Sequence, residues 1–211
     1  ALAFAPDGRT LVSGSRDGEL QRWDLASGEA SSLGRHGEGI NAVAFHPHGP
    51  HMAVACNDGG VRVVDPAEPD QAVVVGAHDD RAIDVAFHPG GRWLASAGYD
   101  HVVRIWDLDG EPGAAVAVLE GHGDQVSGVS FAPDGGSLVS AGRDGVVRQW
   151  RTGDWSPVGE LRGHEGKVWQ LAFAGDSRRL ATGGRDQTVR LWDLDRGELV
   201  ATLVGHAGRI Y

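Results

Sequence analysis

At 211 residues, 41% of them hydrophobic, the chain suits one large all-β domain or two smaller domains of another class. Thirty-three glycines and seven tryptophans describe a turn-rich folded protein, neither disordered nor collagen-like. A formal net charge of -10 argues against broad nucleic-acid affinity, the single Cys56 leaves disulfides out and suits a reducing, cytoplasmic setting, and no apolar run approaches the ~18 residues of a membrane span.

The first predicted strand, "ALAF", ends at Phe4 and a turn at Pro6-Asp7-Gly8. A second strand runs to the turn at Arg16-Asp17-Gly18, a third carries Trp23-Asp24 to the turn at Ser27-Gly28-Glu29, and a fourth reaches Arg35-His36. The same phrase then returns on Phe45, Phe87, Phe131 and Phe173, at intervals of 41, 42, 44 and 42 residues. The repeats span approximately 1–35, 36–77, 78–121, 122–163 and 164–205, with 206–211 starting a further unit or completing the first. No segment shows a helical period. Four antiparallel strands repeated about every 42 residues read as the blades of a β-propeller, whose radial stacking protects the sheet edges.

Two marks recur: Gly121-His122, Gly163-His164 and Gly205-His206, and Trp23-Asp24, Trp106-Asp107 and Trp192-Asp193. On these the chain resembles the WD-repeat (Trp-Asp repeat) β-propeller family over essentially its whole length. Departures are local: Arg35-His36 and Ala77-His78 replace the glycine, Trp150-Arg151 loses the Asp and Val64-Asp65 the Trp, so the second repeat is the least regular.

His122, Ser140 and Asp144 have the residue types of a hydrolytic triad. The set recurs, however: each of His36, His78, His122 and His164 precedes an Asp (Asp58, Asp100, Asp144, Asp186) by 22 residues. Ser96, Ser140 or Thr182 stands four residues before the Asp, and Trp106, Trp150 or Trp192 six after it. Catalysis needs one copy, so three point to structure. The resemblance implies a hydrogen-bonded tetrad within each blade. Physically, such a chain satisfies buried indole, hydroxyl, imidazole and carboxylate groups together. The second repeat replaces hydroxyl and indole together, with Val54 and Val64. GxSxG, HExxH, GxGxxG and P-loop motifs are absent, and no cofactor is expected. His46, His48 and His51 crowd one turn without a fourth ligand; an ordinary solvated turn is expected, with no metal.

Alternate turns of an antiparallel blade share a side, so the Gly-His and Asp-bearing turns lie on one face. The resemblance implies partner contacts there, from residues just before the blade Asp and at the third and fifth positions after the His. Before the Asp stand Arg16, Asn57, Tyr99, Arg143 and Arg185; third are Gly39, Arg81, Gln125, Lys167 and Arg209; fifth are Asn41, Ile83, Ser127, Trp169 and Tyr211. Six of these fifteen are basic, three aromatic and none acidic, and Tyr, Trp and Arg are hot-spot residue types. The opposite face gathers acids including Asp109, Asp154 and Asp195, which predicts a disc of opposite charge on its two sides. The expected function is a non-catalytic scaffold or sensor module binding an acidic or phosphorylated peptide segment. The expected contacts are Arg16, Arg81, Tyr99, Gln125, Arg143, Lys167, Trp169, Arg185, Arg209 and Tyr211. Two alternatives remain: nucleic-acid binding through the same face, or an enzyme using a channel-mouth site, for which these positions offer no carboxylate.

Joined end to end, the termini read "GHAGRIYALAFAPDG", which places Phe4 nine residues after His206 and Asp17 twenty-two after it. His206, Ser13, Asp17 and Trp23 then form a fourth complete tetrad in a closed five-blade ring; otherwise the termini sit at matching phase in a larger propeller, with further domains attached.

Overall fold

The computed structural model describes residues 1–210; the predicted contact Tyr211 lies outside the described residues. Five four-stranded antiparallel sheets follow one another, each built from four consecutive strands, as the repeat pattern predicts. The inner strands are Leu2–Phe4, Ile40–Phe45, Ala82–Phe87, Val126–Phe131 and Val168–Phe173. The second strands are Thr10–Gly14, Met52–Cys56, Trp93–Gly98, Ser137–Gly142 and Arg179–Gly184. Among the described residues the one helical element is a 3-10 turn at Pro69–Gln71.

Blades stack face to face, so a second strand is covered on both sides. "MAVAC" at Met52–Cys56 is buried throughout, and its continuous apolar run replaces the alternation of a half-exposed strand. Each core lies between neighbours rather than within a blade. Leu20 and Leu33 pack on Met52 and Val54, Val61 and Val75 on Leu94's sheet, Ile105 and Leu119 on Leu138's, and Val147 and Leu161 on Leu180's. Five blades share four such cores, and among the described residues no core joins the fifth to the first.

The end blades show the consequence. Leu33, Val75, Leu119 and Leu161, three residues before each His, are 3–6% exposed, whereas Leu203 is 50% exposed. On the other flank Phe4 is 66% exposed, against 7% for Phe131. The end-to-end tetrad is not made: His206 is exposed and, among the described residues, bonds to neither Ser13 nor Asp17. Ser15 Oγ and the Glu19 N–H donate to Asp17 instead, and Arg35 pairs with it. Ile210 nevertheless takes the place on the fifth blade that Ile40 takes on the first. Its N–H donates to Gly184 O at 3.3 Å, as that of Ile40 donates to Ser15 O at 2.9 Å.

Candidate partner-binding face

The hydrogen-bonded sets form in the third, fourth and fifth blades. Trp106, Trp150 and Trp192 Nε1–H donate to Ser96, Ser140 and Thr182 at 2.9, 3.0 and 2.9 Å. These hydroxyls lie 2.7, 2.9 and 2.7 Å from Nε2 of His78, His122 and His164. Nδ1 of the same rings faces Asp100, Asp144 and Asp186 at 2.9, 3.1 and 2.9 Å. One assignment satisfies every atom: the indole donates to the hydroxyl, the hydroxyl to Nε2, and Nδ1–H to the carboxylate, with the imidazole neutral. Burial favours that state, holding His122 and His164 below the ordinary imidazole value against the pull of Asp144 and Asp186. Burial opposes ionisation of Asp144 and Asp186, but the Gly123 N–H and His122 outweigh it at the first, and the Glu165 N–H and His164 bring the second down to about 2. Ser96, Ser140 and Thr182 have no exposed surface, so none of these hydroxyls presents a nucleophile to a substrate.

A fifth member escaped the sequence reading. Arg104 and Arg148, four residues after the Asp, pair with Asp100 and Asp144, the second at 3.1 Å, and Arg190 stands 3.6 Å from Asp186. The recurrence of Arg62, Arg104, Arg148 and Arg190 at this one position was the available signal. The glycine two residues before the Asp also matters. A Cβ at Gly98 or Gly142 collides with the imidazole and carboxylate of its own blade. The first and second blades carry Ser15 and Cys56 there. Ser15 turns its hydroxyl to Asp17; Cys56 occupies the site, donates to His36 O at 3.2 Å, and leaves His36 Nε2 against Leu33 O at 2.7 Å.

These sets tie the His turn to the Asp turn and thereby build the face above them. Backbone bonds join the position before the Asp to the third position after the His: Tyr99 N–H to Arg81 O at 2.9 Å, Arg143 to Gln125 and Arg185 to Lys167 at 2.8 Å. The fifth positions Asn41, Ile83, Ser127 and Trp169 each sit at a register shift between inner and second strands. Each is the extra residue of a β-bulge, a device that re-aims a side chain. Arg16, Arg81, Arg185 and Arg209 are exposed, while Tyr99, Gln125, Arg143, Lys167 and Trp169 are half-buried.

The guanidinium of Arg143 lies over the Tyr99 ring, 4.4 Å from its centroid, and bonds to the Tyr99 hydroxyl. Arg143 Nε and Gln125 Oε1 are buried without a hydrogen-bond partner among the described residues. Asn41 Nδ2 donates to Asn57 Oδ1 at 3.0 Å and to Ala82 O at 2.8 Å, which ties two blades together and spends those two asparagines on structure.

Charge separates the two faces, although not as a simple pair of opposite signs. Arg16, Arg81, Arg143, Lys167, Arg185 and Arg209 make no ion pair among the described residues, and ten of the other thirteen cations do. On the opposite face Asp109, Asp154 and Asp195 are paired with Arg92, Arg151 and Arg178 at 3.9, 3.7 and 3.4 Å. The expected acidic side is therefore partly neutralised by its own arginines. The histidine turn is structural in part: His46 Nε2 contacts Gly91 O at 3.2 Å in the next blade and Nδ1 accepts the His48 N–H at 3.1 Å, leaving neither nitrogen for a metal. Among the described residues no group of three or more His, Cys, Asp or Glu is placed to hold a metal ion.

The WD40 family model (WD domain, G-beta repeat) matches residues 1–24, 29–65, 70–107, 113–151 and 155–193. The chain belongs to the WD40 family. Among curated proteins this WD40 chain is 35% identical over 66 residues to the WD repeat and HMG-box DNA-binding protein 1 of Xenopus laevis, over 30% of this chain and 6% of that protein. It is 42% identical over 57 residues to coronin-7 of Rattus norvegicus, over 26% of this chain and 6% of that protein. It thus spans a small fraction of either relative's length. WD40 repeats generally mediate protein–protein interactions.

One channel residue corrects the sequence reading. Inner strands of four WD40 blades line an open channel-side cavity of about 350 Å³, with Asn41, Ile83, Asp84, Ser127, Trp169 and Gln170 among its walls. Asp84 supplies the carboxylate that the fifth positions lack. Burial pushes it up to about 6, against two backbone N–H donors that pull it down.

Proposed function

We propose that this WD40 chain is a non-catalytic interaction module whose upper face holds an acidic or phosphorylated segment of another protein. The observation that carries the reading is the set of six cations without carboxylate partners among the described residues, in a chain of net charge -10 that also places Tyr99 and Trp169 on this face. A guanidinium stacked on an aromatic ring is oriented before binding, and its remaining donors match the bidentate geometry of carboxylate or phosphate. Tyr99 orients Arg143 in this way. Trp169 and Tyr99 contribute apolar contact at the centre, Arg16, Arg81 and Arg209 act from the rim, and Tyr211 belongs to the proposed set by its position after His206.

The test is retention of a doubly phosphorylated serine peptide by the purified chain. Arg143→Ala, Arg185→Ala and Trp169→Ala combined are expected to weaken it at least about a hundredfold, since each charge-assisted bond contributes about 1.5–3 kcal/mol. The melting transition should change little. Undiminished capture by the triple variant would remove the face from consideration. Because one relative is named as DNA-binding, the same assay carries a duplex DNA arm. DNA held through phosphates alone leaves as salt rises from about 50 to 200 mM, and retention of DNA but not phosphopeptide at the higher salt refutes the proposal.

A further inference from the structure

We infer that the channel beneath this face admits one cationic side chain, so that the segment held by the face carries a lysine or arginine flanked by acidic or phosphorylated residues. This deepens the reading of the face and rests on it. Asp84 lines the channel one residue inward of Ile83, about 3.3 Å along the strand from the rim. Its blade equivalents, Ala42, Gly128 and Gln170, are neutral. Each carboxylate oxygen accepts one backbone N–H, from Val85 at 3.0 Å and from Val129 of the next blade at 2.9 Å. A carboxylate has about four lone-pair sites, so both oxygens keep acceptor capacity. No cation pairs with Asp84 among the described residues, although ten arginines elsewhere find carboxylates.

Capping the Val129 N–H does not require a charge, since a neutral amide oxygen accepts the same bond. A charged group is costly here: burial has already pushed Asp84 up to about 6, and a peptide laid across the rim removes more water. A covering segment without a cation leaves that charge unpaired. One with a lysine or arginine compensates it, and Trp169 lines the same cavity. The rim cations repel a segment that is only basic, so the face and the channel together select mixed charge in a fixed order.

The experiment compares two fluorescent, amide-capped heptapeptides at pH 7.5: Glu-pSer-Gly-Lys-Gly-pSer-Glu, and the same peptide with norleucine in place of Lys. The lysine probe is expected to bind wild type about tenfold tighter or more, the order of one charge-assisted hydrogen bond. Asp84→Asn is expected to abolish that preference while the norleucine probe binds the variant at least as well as it binds wild type. Equal affinity of the two probes for wild type overturns the channel site and leaves the face standing. A preference that persists in Asp84→Asn also overturns it, and failure of both probes to bind wild type overturns the face itself. The wild-type comparison decides alone if Asp84→Asn does not fold.

Discussion

The second and fourth blades solve the same packing problem with opposite chemistry. In the fourth, Trp150, Ser140, His122, Asp144 and Arg148 form a continuous polar chain beneath the upper face. In the second, Val54 and Val64 replace the hydroxyl and the indole, both fully buried, and Cys56 stands at the position of Gly142, whose missing Cβ makes room for His122 and Asp144 in the fourth. Both blades are four-stranded and share a core with their neighbours. The network is therefore not what makes a blade. Removing donor and acceptor together is nearly neutral, whereas removing one strands the other, so intermediate sequences are the costly ones.

The largest effect should come from creating such an intermediate. Ser140→Ala strands the Trp150 indole N–H and His122 Nε2 at once, at about 1–3 kcal/mol each, so denaturant unfolding should show a loss of about 2–6 kcal/mol. A loss under about 0.5 kcal/mol would mean that water or a shifted ring replaces the hydroxyl at no cost. Gly142→Ala comes next: its Cβ displaces His122 and Asp144, with about 1–3 kcal/mol expected from overpacking. The double variant should lose less than the sum, because a histidine already freed from Ser140 yields to the added methyl. Strict additivity would break the claim that one network links the two positions.

The polar blades also predict an acid response. In His122 and His164 the folded state favours the neutral ring, so the unfolded chain takes up protons first as pH falls through 6.5. Stability present above that pH is lost below it. The depressed carboxyls of Asp144 and Asp186 add a second loss as pH falls below 3.8, extending toward about 2 for Asp186. Asp84 has the opposite sign: the folded state binds the extra proton between pH 3.8 and 6, a relative gain over that interval on acidification. Unfolding midpoints from pH 7.5 to 5 should fall, and His164→Gln should flatten the slope. A slope unchanged in that variant places the proton uptake elsewhere.

Period and residue type made most of this legible. A His, a hydroxyl, an Asp and a Trp at constant spacing in three repeats led to Ser96, Ser140 and Thr182 without coordinates. Asp84 was missed because it is the sixth residue after His78, one beyond the positions considered, and the bulge at Ile83 that sets it on the inner wall leaves no composition mark of its own. The Gly-to-Cys exchange at Cys56 was in plain view, but its meaning depends on the contact a Cβ would make. Matching phase at the termini agrees with the single backbone bond from the Ile210 N–H to Gly184 O, made as Ile40 makes its bond to Ser15 O. It said nothing about curvature, which depends on how far each blade rotates on its neighbour. That rotation is a property of the packed interface and leaves Leu203 and Phe4 uncovered.

The smallest expected effect lies in the carboxylates. Asp58 of the second blade is held down chiefly by its bond to Arg62, 2.6 Å away, and its side chain is 27% exposed. Water screens this pair, and Asn at that position still accepts the Gly60 N–H that Asp58 Oδ1 accepts at 2.9 Å. Asp58→Asn should therefore cost no more than about 1 kcal/mol. Asp144 is 13% exposed and receives His122 Nδ1–H, the Gly123 N–H, the Val146 N–H and Arg148, four donors that one amide oxygen does not serve equally. Asp144→Asn should cost more than Asp58→Asn, by about 1 kcal/mol or more, because it weakens charged bonds in a drier place. Equal costs in the two blades would show that solvent reaches both carboxylates alike, and the contrast between a polar and an apolar blade would then lie in Ser140 and Trp150 alone.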